Sequence, residues 1–144
     1  MGYTINCDAC EQASWAGNIV ELIENHTDDN QMFKCTNCGS SGAYIHKIYE
    51  TQGNEDPWEP YFKGIIRIDY KEAELKDYHP YVFLIGHGGP QEKVNSLQIS
   101  YYKDLRETGG SLKHGHGPGG APVIGLSDFA NILHKLIGIG VMPD

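Results

Sequence analysis

The residues of this chain best suited to chemistry are its four cysteines. They fall into two C-x-x-C pairs, Cys7 with Cys10 in "CDAC" and Cys35 with Cys38 in "CTNC", separated by residues 11 to 34, and no other cysteine is present. A tetrahedral four-thiolate site needs two pairs of sulfurs at metal–sulfur distances of about 2.3 Å, and a C-x-x-C turn presents two from one side. Gly39 directly after Cys38 strengthens the second pair, because a residue free to take positive φ lets backbone N–H groups turn toward the thiolates. In the first pair Glu11 stands where that glycine would sit.

Three other uses of the same cysteines are weaker. A thioredoxin-like redox pair belongs between a strand and a helix of an α/β unit, and neither pair has that setting. Iron could occupy the same four ligands and is the alternative to Zn2+. Disulfides are disfavoured by the reducing cytoplasmic address that the N-terminal sequence suggests. With "CDAC" and "CTNC" as the matching pieces, residues 5 to 50 resemble the zinc ribbons, the class built on two cysteine knuckles. The intervening stretch is somewhat longer than the usual 15 to 20 residues or so. That excess implies an extended hairpin or an inserted helix between the knuckles.

A second group of candidate ligands is histidine. His87 lies in "GHGG", and His114 and His116 lie in "HGHG" within a stretch from 105 to 125 that holds seven glycines. If these three converged they could hold a second metal or line a ligand pocket, although no acid is adjacent in sequence to orient the rings. The N–H groups of "GHGPGG" with Lys113 offer a weak anion cradle, lacking a phosphate-loop pattern. No Ser-His-Asp or Cys-His order can be defended, so the sequence gives no support for an enzyme. The aromatic residues Trp58, Tyr61 and Phe62 in "DPWEPYF" are candidate contacts for a protein partner.

The elements that must position these groups follow from periodicity. "SWAGNIVELIENHTDDN" supports two readings. One is a helix, with Asn18 and Glu21 in a capping-box pattern and Trp15, Ile19, Leu22 and Ile23 on one face; the other is a strand over 19 to 24. Strands are expected at 43 to 50, 64 to 70, 81 to 86 and 97 to 102, all rich in Ile, Val and Tyr, with the apolar "YVFLIG" central. A helix is expected over 127 to 138, capped by Ser127 and carrying Phe129, Ile132, Leu133, Leu136 and Ile137 as an apolar stripe.

At 144 residues and 16.0 kDa the chain suits one domain, with residues 1–50 as the ribbon portion and 51–144 as sheet and helix. The expected fold is α+β: a zinc ribbon continuing into a mainly antiparallel sheet covered by the C-terminal helix. Net charge is −8, concentrated in the front, where residues 1 to 42 carry six acids against Lys34 alone. An acidic surface of this kind disfavours nucleic acid as a partner. No run approaches the roughly 20 apolar residues of a membrane span, and no signal peptide is legible. The combined expectation is a cytoplasmic zinc-binding adaptor that contacts protein, neither membrane nor nucleic acid; the alternative is a small enzyme or ligand-binding protein that uses the glycine- and histidine-rich segment, with His87, His114 and His116, as its pocket.

Overall fold

The computed structural model describes residues 2–46, 60–68, 78–114 and 122–143. Among them are eight strands and two α-helices. In chain order these are β1 (Tyr3–Cys7), β2 (Ala13–Ala16), α1 (Ile19–Asn25), β3 (Ala43–His46), β4 (Pro60–Arg67), β5 (Tyr78–His87), β6 (Ser96–Asp104), β7 (Leu112–His114), β8 (Val123–Gly125) and α2 (Leu126–Gly138). All pairings are antiparallel, in the order β2-β1-β3-β4-β5-β6-β7, with β8 also on β6. The fold is α+β, and among the described residues no helix is long and apolar enough to cross a membrane.

Helix α1 settles the two readings of residues 18 to 26. Asn18 is extended at the cap and its Oδ1 accepts the Glu21 N–H at 2.9 Å, while the Glu21 carboxylate accepts the Gly17 N–H at 2.8 Å. The first four N–H groups of a helix have no partner within it, and a seven-residue helix is too short to stand alone, so these caps and the burial of Ile19 and Leu22 sustain it. Trp15 is not on that helix. It lies in β2, 65% exposed.

From α1 the chain runs back beside β4. Lys63 is an extra residue in β4, where the register shifts between Phe62 and Gly64. This bulge turns the Lys63 carbonyl outward to accept the Phe33 N–H at 2.8 Å, and the Ile65 N–H bonds the Gln31 carbonyl at 2.9 Å. Residues 31–33 thus flank β4 beyond the two-residue pairing with β3, and Phe33 is buried in the same core as Ile5, Leu22, Ile65 and Phe83. The strands that carry the cysteines and the long β4–β5–β6 meander share one hydrophobic core.

Two expectations are corrected here. Tyr61 and Phe62 are not surface anchors: both are buried within β4, Phe62 edge-on to Phe83 at 5.0 Å and Tyr61 stacked on His46 at 4.4 Å. A strand with neighbours on both edges buries alternate side chains on each face, and β4 is such a strand. Trp58 lies outside the described residues. The C-terminal helix has the expected span, but its cap is Gly125, without a side-chain bond, instead of Ser127, and none of its residues is buried. It packs chiefly on β8, from which it issues, so it does not cover the sheet.

His26, which ends α1, is buried with Nδ1 unpartnered, and burial holds its imidazolium pKa below the ordinary value of 6.5. Above that pH the ring is neutral in both folded and unfolded chains. Below it the unfolded chain takes up a proton that the folded chain resists, so stability is lost as pH falls from about 6.5 toward the depressed folded value. Urea midpoints measured between pH 7.5 and 5.5 are expected to fall, and less so in His26→Leu at equal metal loading. A midpoint with the same pH dependence in both proteins would contradict this.

Candidate metal centre

The four cysteines meet because β1 is the middle strand of β2-β1-β3. The first knuckle is the turn from β1 to β2, and Cys7 pairs with Ala43, the first residue of β3, directly after the second knuckle. All four sulfurs are free thiols and lie within 4.8 Å of one another. Cys7 Sγ is 3.6 Å from Cys38 Sγ, and Cys10 Sγ is 3.6 Å from Cys35 Sγ. Four sulfurs at about 2.3 Å from a common centre in a tetrahedron stand roughly 3.8 Å apart. The donor set therefore fits one tetrahedral metal ion, with each short edge joining one knuckle to the other. No solved structure, curated protein or family model matches this chain.

The two knuckles repeat one backbone design. Cys7 N–H bonds the Gln12 carbonyl at 3.2 Å as Cys35 N–H bonds the Ser40 carbonyl at 2.8 Å, and Glu11 N–H bonds Cys7 O at 3.0 Å as Gly39 N–H bonds Cys35 O at 2.8 Å. Glu11 and Gly39 occupy equivalent places and both are left-handed, at φ 59° and 78°. A residue with a Cβ is strained there by about 1–2 kcal/mol. Glu11→Gly is accordingly expected to stabilise the protein, by up to about 1 kcal/mol after the added chain entropy, read as a higher urea midpoint with metal content unchanged. A lower midpoint would refute the equivalence of the two turns.

Protonation without metal shows why the cluster suits a cation. The Cys35 thiol is drawn down to about 6, chiefly by the backbone N–H of Cys38 and also by that of Asn37, which lies 3.3 Å from Sγ. The Gln12 N–H favours the Cys10 thiolate, but burial and the sulfurs of Cys35, Cys7 and Cys38 outweigh it and push that thiol up to about 12. Cys38 is raised as well, its bond from the Ser40 N–H outweighed by the Cys7 sulfur and by burial. Thiolate charge is thus stabilised at Cys35 and opposed at Cys10 and Cys38. A divalent ion would offset the repulsion, so loading would release protons and tighten with rising pH.

Two of the three candidate histidines, His87 and His114, stand apart along the sheet. His87 ends β5, with Nδ1 3.1 Å from Ser96 Oγ and 3.2 Å from Asn95 Oδ1, at the start of β6. His114 stands opposite Tyr102 near the other end of β6. The six steps of strand from Ser96 to Tyr102 separate the two by about 20 Å. His116 lies outside the described residues. The feature that sequence reasoning missed is the left-handed turn at Glu11, for which the paired C-x-x-C pattern itself was the signal.

Proposed function

We propose that this chain is a non-enzymatic binding module whose front end is fixed by one structural zinc ion on Cys7, Cys10, Cys35 and Cys38, in a zinc-ribbon-like arrangement. One observation carries this reading: two knuckles distant in sequence bring all four sulfurs within 4.8 Å of one another, with two pairs across the knuckles at 3.6 Å, close to the edge of a zinc tetrathiolate. Four protein ligands leave no position for a reacting water, which favours scaffolding over catalysis. Zinc is favoured over iron because the centre needs only a redox-silent tetrahedral ion.

The partner proposed is protein. The net charge of −8 opposes polyanions, and Trp15, exposed on the edge strand β2 beside the first knuckle, is the aromatic anchor that Tyr61 and Phe62 cannot be. Elemental analysis is expected to find one zinc per chain in colourless protein; a red, iron-bearing product would replace zinc by iron. Fluorescence anisotropy with single- and double-stranded oligonucleotides is expected to show no micromolar binding near physiological salt. Salt-sensitive binding there would overturn the choice of partner.

A further inference from the structure

Among the described residues two apolar surfaces are left only partly covered. The first is on the sheet. Ile66, Val82 and Ile99 are neighbours across β4, β5 and β6, on the face opposite to buried Ile65 and Phe83. Ile66 remains 39% exposed, Ile99 41%, and Ile68, just beyond, 43%. The second is α2, on whose stripe Ile132 is 44% exposed and Phe129, Leu133, Leu136 and Ile137 are half-buried, with no member fully buried. Ile139, Val141 and Met142, in the turn that follows the helix, are also exposed.

An amphipathic helix and an apolar sheet face are the two halves of one packed layer. Within a single chain they are not joined. β8 ends at Gly125 and α2 begins at Leu126, so no linker lets the helix swing across its own sheet, and the Leu126 N–H bonded to the Asn95 carbonyl at 2.9 Å pins its start beside the β5–β6 turn.

We propose that two copies associate about a two-fold axis, each laying its α2 across the β4–β5–β6 face of the other. A foreign helix would cover the sheet and leave α2 open, whereas reciprocal exchange closes both surfaces of both copies with one self-complementary interface. The dimensions allow it: 13 residues of helix span about 20 Å, enough to cross the three strands β4, β5 and β6, about 14 Å wide at about 4.8 Å spacing. The exposed apolar side chains on the two surfaces offer on the order of 700 Å² per copy, close to the about 800 Å² per partner of a standard interface.

The test uses the full-length, metal-loaded protein. Sedimentation velocity over micromolar to submillimolar concentrations is expected to give a species of twice 16.0 kDa. Ile99→Lys alters the sheet surface and Ile132→Asp the helix stripe, at positions 41% and 44% exposed in the single chain. Each is expected to weaken the dimer by about tenfold or more. Mixing the two variants should restore a heterodimer, because one intact helix still meets one intact sheet. Wild-type protein that stays monomeric throughout overturns the proposal. So does Ile99→Lys dimerising like wild type, which would mean helix against helix, or Ile132→Asp doing so, which would mean sheet against sheet. Should a variant fail to fold, hydrogen exchange of the wild type decides: α2 amides and Ile99 must gain protection together as concentration rises, and their failure to do so overturns the exchange.

Discussion

Cys35→Ser is expected to cost the protein its metal and most of its stability. Metal-bound structural sites of this kind are held by about 10–16 kcal/mol, as much as the whole net stability of a domain, roughly 5–15 kcal/mol. Cys35 is the ligand whose thiolate the backbone favours most, through the N–H groups of Cys38 and Asn37, so a hydroxyl there removes the anchor of the second knuckle. The damage would not stop at the knuckles. Phe33, two residues before Cys35, is buried in the core that also holds Ile65, Phe83 and Tyr81. Release of residues 31–35 therefore opens the β4–β5 region as well as β1 and β3. We expect zinc content to fall to a small fraction of one equivalent, and denaturant unfolding of the variant, or of chelated wild type, to shift to much lower midpoints for the whole chain. A variant that keeps a full equivalent, or one that unfolds like the wild type, would sink the structural role of the site.

The second large effect is expected from Gly64→Ala, one added methyl group. A Cβ at Gly64 would overlap the Gln31 carbonyl oxygen and come within 3.1 Å of both Met32 Cα and Leu84 Cδ1. Two of those atoms are backbone and cannot rotate aside. To make room, residues 31–33 must lift from β4, which strains the Ile65–Gln31 and Phe33–Lys63 hydrogen bonds and unseats Phe33. Overpacking of about 1–3 kcal/mol together with about 1 kcal/mol for each weakened bond puts the loss at roughly 3 kcal/mol or more. Gly39→Ala is the control. Nothing lies within 4 Å of a Cβ there, and only the left-handed φ resists it, at about 1–2 kcal/mol. Urea unfolding that ranks Gly39→Ala as the more damaging of the two would refute the packing of residues 31–33 on β4.

The sequence by itself determined whatever depends on near neighbours. The ligand set was legible because a C-x-x-C turn brings two sulfurs together within four residues, whatever the rest of the chain does. The strands now seen as β4, β5 and β6 were legible in part from β-branched and aromatic composition, the expected 64 to 70 overlapping β4 only as far as Arg67 with 69 and 70 outside the described residues, and α2 was legible from its apolar period. Even α1, ambiguous in its side chains, had its cap written in Asn18 and Glu21. Tertiary structure decided everything that depends on which face of an element meets what. Periodicity marks the stripe on α2 but cannot say whether anything covers it, and a strand's alternation cannot tell that both neighbours of β4 bury Tyr61 and Phe62. The separation of His87 from His114 follows from the register of β6, which is set by pairings among residues far apart in the chain. Glu11 takes a conformation its own side chain disfavours, because closing the first knuckle around four sulfurs outweighs a local cost of about 1–2 kcal/mol.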